Sequence, residues 1–259
     1  MTVMTRRWFA ALLCATALVS LPLPARAESP RIIADDATRY LALGDSIASG
    51  YKAVPVTDGY AYVLYEEGVF DRIRHTLFAN AAVPGASSRD LLLYQVPQAL
   101  IPAADGGFIP DYVTLTIGGN DLLSILHFMQ THPDPAEVLQ FATGVIGTYG
   151  QNLWTAVYRL HNALPNAKIY VGNQYSIPEI EALVPLAAPL IAAFNETVRQ
   201  VVATFPAHVY LVDVHTAFLG RRHLLLDELP GVSPFETHMT SAGHRVMARA
   251  FADVIAESR

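Results

Sequence analysis

Short apolar runs alternate along the chain with longer stretches of helical periodicity. Tyr40-Leu41-Ala42-Leu43 is an apolar run closed by Gly44, and Thr76 to Asn80 is a second. Tyr112 to Ile117 is a third, rich in β-branched residues and stopped by Gly118-Gly119. Lys168 to Val171 and His208 to Val214 complete five predicted strands. Short apolar runs bounded by glycine or polar residues have the pattern of buried strands. Between them lie predicted helices over Ala61 to His75, from a Ser87 or Ser88 cap to about Leu100, and over Pro135 to Leu164. Pro189 to Phe205 places Leu190, Ile191, Phe194, Val198, Val201 and Phe205 on one broad face, and Thr240 to Glu257 is the closing helix. Strands joined by helix-length connections need crossovers, so the sheet is expected to be mostly parallel and covered on both faces. This is a three-layer α/β/α domain. Ligands in such sheets bind at the carboxyl ends of the strands, so chemistry is to be sought just after each one.

The first 27 residues have a different pattern. Arg6 and Arg7 precede an apolar run from Trp8 to Leu23, and Ala25-Arg26-Ala27 forms a small-x-small cleavage site. A signal peptide over 1–27 is expected, with Glu28 as the mature N-terminus. The run ends in Pro22 and Pro24 and is shorter than the ~20 residues that span a bilayer, so no stable membrane anchor is expected after cleavage. Thr5-Arg6-Arg7-Trp8-Phe9 resembles a twin-arginine export motif, and Sec export is the alternative. Residues 28–259 are then a single exported domain, periplasmic or extracellular, with a loose lead-in before residue 39.

Composition narrows the chemistry. Of 259 residues, 52% are hydrophobic and 15% charged, which excludes a disordered chain. Lys+Arg number 17 against 23 Asp+Glu, giving −6, and no basic stripe suggests nucleic acid as a partner. Signal removal takes three arginines and no acid, moving the charge to −9. The one cysteine, Cys14, lies in the signal segment, so neither a disulfide nor a two-cysteine metal or redox motif is available. No phosphate loop or dinucleotide fingerprint occurs, and Gly-x-Ser-x-Gly is absent. No metal or cofactor is expected.

Three polar clusters fall just after predicted strands. Gly44-Asp45-Ser46 follows the first, where Gly44 permits a sharp exit and Ser46 opens the next helix, as a nucleophile awaiting a base or as a simple cap. Asn80 to Ser87 follows the second, and Gly85 there brings a backbone N–H close to a ligand or merely turns the chain. Gly118-Gly119-Asn120-Asp121 follows the third, with the Asn120 amide as a donor and Asp121 expected to cap the next helix. Near the C-terminus, His238 precedes a helix and suits a general base, whereas His244 falls inside that helix and reads as structural. After the fourth strand, Gln174 and Tyr175 are positioned to meet a substrate, and the apolar stretch Ile180 to Phe194 is either an acyl-pocket wall or a core helix.

Gly44-Asp45-Ser46, Gly85, Gly118-Gly119-Asn120-Asp121 and His238 with Gly243-His244 match, in order, the four blocks of the SGNH (GDSL-type) hydrolases. The resemblance covers residues 39–257. It implies a flavodoxin-like five-stranded parallel sheet and a serine esterase or lipase acting on acyl or lipid esters. Ser46 would be the nucleophile, His238 the base, and the N–H groups of Ser46 and Gly85 with the Asn120 side chain the oxyanion hole. One position departs from the family. The Asp usual three residues before the catalytic His is here Phe235, and Met239 stands where Pro often follows. Three groups are candidates to orient His238: Glu236, a backbone carbonyl near Phe235, or a distant acid such as Asp227. The alternatives to the esterase reading are a carbohydrate O-deacetylase and a catalytically silent binding protein using the same cleft.

Overall fold

A computed structural model describes residues 37–71, 76–175, 186–205, 207–225 and 238–259. Strands β1 (Arg39–Gly44), β2 (Leu77–Asn80), β3 (Tyr112–Thr116), β4 (Lys168–Gly172) and β5 (Val209–Val212) form one sheet in the order β2-β1-β3-β4-β5. Every pairing is parallel. This is the flavodoxin-like order, with its switch point flanking β1. Leu41 stands beside Ala79 and Val113, and Val113 beside Ile169.

Side-chain alternation explains the layers. Leu41, Leu43, Val113, Leu115, Ile169 and Val171 point to one face, while Tyr40, Ala42, Tyr170 and Val212 point to the other. Both sets are buried, so helices must cover both faces. The first face is covered by α3 (88–104), α4 (Gly119–Thr131), α5 (Pro135–Ala163) and α6 (Ala187–Ala203). Helix α3 runs Ser88–Asp90, passes through a π-helical turn at Leu91–Gln95, and continues as Val96–Ala104. The second face is covered by α1 (Ser46–Ser49), α2 (Tyr60–Glu66), α7 (Val214–Phe218) and α8 (Ser241–Glu257). Tyr149, Phe194 and Phe251 are among the largest side chains fully removed from solvent. Each such side chain contributes about 1.5–3 kcal/mol or more through apolar burial.

The five expected strands are present. The local differences have local causes. The predicted helix over Ala61 to His75 ends at Glu66, because Gly68 turns the chain with φ +64, while residues 72–75 lie outside the described set. β5 ends at Val212, because Asp213 accepts the Thr216 N–H at 3.1 Å and starts α7. The helix expected from Pro189 begins two residues earlier, at Ala187. The signal segment, Leu183, Val184, Asp227, Phe235 and Glu236 lie outside the described residues.

Candidate active site

Gly44 ends β1 in a conformation that only glycine suits. Its φ is +134, and a Cβ there would stand 1.9 Å from the Thr116 carbonyl oxygen of β3. The exit is fixed from several sides. The Asp45 N–H donates to that same oxygen at 3.1 Å, and the Val83 N–H donates to the Gly44 carbonyl at 3.0 Å. Gln95, buried in the π-helical turn, accepts the Gly44 N–H at 2.9 Å and donates to the Gly44 carbonyl at 2.8 Å. One side-chain amide thus pairs with both polar groups of the residue two before Ser46.

Ser46 is the first residue of α1, half-buried at the carboxyl end of β1. Asp45 caps the helix, its Oδ1 accepting the Ile47 N–H at 3.0 Å. Burial of this carboxyl pushes its pKa up to about 7, against the opposing Ile47 N–H and with a smaller upward push from the Asp121 charge.

His238 reaches Ser46 from the far end of the chain, with Nε2 2.9 Å from Oγ. Two neighbours pin it. Met239 is fully buried and bridges to Leu225, and the Thr240 N–H donates to the Leu224 carbonyl at 2.8 Å. Thr240 caps α8 by accepting the Gly243 N–H at 3.1 Å. A Cβ on Gly243 would lie 2.5 Å from the Leu224 oxygen, so this glycine lets α8 close on that segment. The Tyr51 ring meets the His238 ring edge-on, with centroids 4.8 Å apart. His244 is buried within α8, accepts the Tyr60 N–H on Nδ1 at 3.3 Å, and is pushed down to about 4 by desolvation. It holds α2 against α8.

Asn120 lies in the first turn of α4, which starts from Gly118 at φ +116. Its Nδ2 donates to the Ala86 carbonyl at 2.9 Å. An amide nitrogen carries two hydrogens, so one remains for a ligand. Gly85 (φ +83) is exposed in the turn just before Ala86, with no atom near where its Cβ would be. The Asn120–Ala86 bond ties this turn to the site, although Gly85 itself lines a neighbouring groove with Tyr94 and Gln98. Ser46, Asn120 and His238 line a common cleft.

Asp121 does not cap α4 as expected, because Gly118 takes that place. Its carboxylate accepts the Ser88 N–H at 2.9 Å and the Ser88 hydroxyl at 2.6 Å. Asn152 donates to the same hydroxyl at 3.0 Å, so Asp121 ties α4 to the start of α3 and, through Ser88, to the middle of α5. Gln174 and Tyr175 both line the cleft. The Gln174 amide donates to the Ile117 carbonyl at 2.7 Å, and its backbone pairs with Asn195 at 2.7 and 2.9 Å. Of the stretch read as a pocket wall or core helix, Ala187 and Ile191 face the cleft, while Leu190 and Phe194 belong to the core.

Sequence reading missed Gln95, Tyr51 and the leucines of α4. Gln95 carries a weak signal, as a polar residue four positions after Leu91 on a buried helical face. Leu122, Leu123 and Leu126 follow Asn120 directly at helical spacing, a pattern shared with any core-facing helix.

No curated protein sequence matches the chain significantly. Solved structures do. A lipase from a goat rumen metagenome superimposes with a TM-score of 0.65 at 19% identity, covering 84% of this chain and 97% of that one. Phospholipase A1 from Streptomyces albidoflavus gives 0.62 at 19% identity, covering 86% and 100%. An acetylxylan esterase from Geobacillus stearothermophilus gives 0.56 at 23% identity, covering 84% and 94%. At these identities the likeness is one of fold. Residues 42–246 match the model of the GDSL-like lipase/acylhydrolase family, and the chain, an ester hydrolase, belongs to that family.

Proposed function

We propose that the protein is an exported serine esterase that cleaves carboxylic esters through an acyl-enzyme on Ser46. The observation that carries this reading is the 2.9 Å approach of His238 Nε2 to Ser46 Oγ, made across 192 residues of sequence. A serine hydroxyl needs an adjacent base to attack a carbonyl, and an imidazole at hydrogen-bond distance supplies one. His238 takes the proton as Oγ attacks and returns it to the leaving alcohol. Water then attacks the acyl-enzyme with His238 again as base, and the acid leaves.

The tetrahedral oxygen needs donors already in place. The second hydrogen of the Asn120 amide, the Ser46 N–H and the Gly85 N–H fill that role in this reading. Asn120 therefore both donates to the oxyanion and steadies the Gly85 turn through Ala86. Orientation of the imidazole falls to Glu236, to a carbonyl near Phe235, or to Asp227. The apolar walls of the cleft favour acyl esters over sugar acetates. The precursor is exported and its signal peptide removed after Ala27.

The test is hydrolysis of an ester panel by mature protein and by Ser46→Ala and His238→Ala. Loss of turnover by several orders of magnitude in both variants, with folding retained, supports the mechanism. Activity that survives in Ser46→Ala overturns it. A preference for acetylated sugars over simple acyl esters replaces the substrate class with that of a deacetylase.

A further inference from the structure

The cleft at Ser46 has two unlike ends. Asp45, Ser46, Asn120, Gln174 and His238 make one end polar. Beyond them, Leu122, Leu123 and Leu126 of α4 face Ala187 and Ile191 of α6, with Ile47 at the side. Ala187 and Ile191 are 2% and 3% exposed, so this wall is part of the packed molecule and does not depend on a ligand to form. We propose that this apolar end is a short acyl pocket, closed near Leu126, that selects esters of acids with about four or five carbons. The proposal rests on Ser46 being the nucleophile, since that fixes where the acyl carbonyl sits.

Two independent measures give the length. The cavity holds about 90 Å³. An apolar protein cavity of about 150 Å³ accommodates benzene, or roughly 25 Å³ per carbon. That volume includes the polar end, so the space beyond the carbonyl takes at most about three or four carbons. The second measure is linear. For an acyl chain laid along α4, Leu126 is six residues beyond Asn120, about 9 Å at 1.5 Å per residue. Van der Waals contact with the end wall uses about 3.5–4 Å of that. An extended chain advances roughly 1.2 Å per bond, taking a residue as three bonds, which leaves about four bonds. The volume sets an upper limit and the depth falls within it, so the pocket fits acyl groups up to butanoyl or pentanoyl.

The pocket also explains why its walls come from two helices. The β3 and β4 ends deliver polar groups to the carbonyl, and the helices that follow them supply the apolar lining a few residues later. Specificity therefore resides at Leu126 and Ala187, which make none of the proposed contacts to reacting atoms. A larger side chain at Ala187 shortens the space, and a smaller one at Leu126 lengthens it.

The experiment compares kcat/KM on 4-nitrophenyl acetate, butanoate, hexanoate, octanoate and dodecanoate for wild type, Leu126→Ala and Ala187→Val. Burial of two further methylenes at about 0.8 kcal/mol each predicts a roughly tenfold gain from acetate to butanoate. Rates should then fall at least tenfold by octanoate. Leu126→Ala should move the optimum to hexanoate or beyond, and Ala187→Val should lower butanoate while sparing acetate. Opposite shifts in two variants are something a general loss of stability does not produce. A flat profile, an optimum at octanoate or longer, or an optimum unmoved in Leu126→Ala overturns the pocket while leaving Ser46 chemistry standing. Failure of the nucleophile assignment shows separately, as activity retained in Ser46→Ala. Thermal shift of Ser46→Ala protein with butanamide against octanamide tests the pocket without any reaction. A larger shift with butanamide supports it, and an equal or reversed order overturns it.

Discussion

Asp45 carries a cost that depends on pH. Its carboxyl is buried and pushed up to about 7, while the unfolded chain releases this proton near 3.8. Between those values the native state holds the extra proton, so its contribution to stability is full below about 4 and is lost as pH rises towards 7. Asp45→Asn keeps an oxygen for the Ile47 N–H and removes the charge. Thermal melts between pH 4 and 8 should therefore show a shallower decline in Asp45→Asn than in wild type, with the variant gaining on wild type at the alkaline end. Parallel curves would contradict the account. Asn120→Ala should lower kcat by about 10²–10³ with a smaller effect on KM, since an oxyanion donor acts mainly in the transition state. Equal kinetics would remove Asn120 from the proposed hole. At Glu236 the expected outcome divides the candidates. A large drop in kcat for Glu236→Gln, with folding intact, assigns the orienting role to its carboxylate, and near-normal turnover leaves a carbonyl or Asp227. Ser46, Asn120 and His238 were legible because each sits beside a break in pattern, at a strand end or before a helix cap. The function of Asp121 was not, because its partner Ser88 is 33 residues away and only folding brings them together.

Among the elements, β1, β3 and β4 were readable because both their faces are buried, which makes each a continuous apolar run ending in glycine or a polar cluster. α2 was overrun because Val69 and Phe70 continue its apolar pattern past Gly68, where the backbone has already turned. Helix α3 shows a different limit. Its widened turn places Gln95 against Gly44, and local propensity carries no trace of that contact. Such π-helical turns often occur where a side chain must reach a functional segment. Gln95→Leu removes both bonds to Gly44 and strands a buried N–H, which should cost roughly 1–3 kcal/mol. Chemical denaturation is the measurement. Turnover should fall as well, because the exit from β1 loses one of its fixings. A variant as stable as wild type would show that Val83 and Thr116 suffice.

For the whole molecule, the sense and the order of the sheet had different sources. The connections supplied only the parallel sense, since helix-length crossovers demand it, and the resemblance carried by the polar blocks supplied the order. The cleft could not be read in the same way, since it joins one face of α4 to one face of α6 and depends on how those helices lean on the sheet. Removal of the proposed signal peptide would leave a chain without cysteine, so the melting temperature of residues 28–259 should be the same with and without a thiol reductant. N-terminal sequencing of exported protein should begin at Glu28, and an intact Met1 or a lipid-modified Cys14 would revise the expected processing. The register of the sheet has a consequence in time. Tyr40 of β1 pairs with Tyr112 of β3, so the strand leading to the proposed nucleophile meets its inner neighbour only after 72 further residues have been made. At about 5–20 residues per second, synthesis takes roughly 4–14 s to cover that gap. For that interval β1 has no inner neighbour, and the sheet cannot close around the strand end that leads to Ser46.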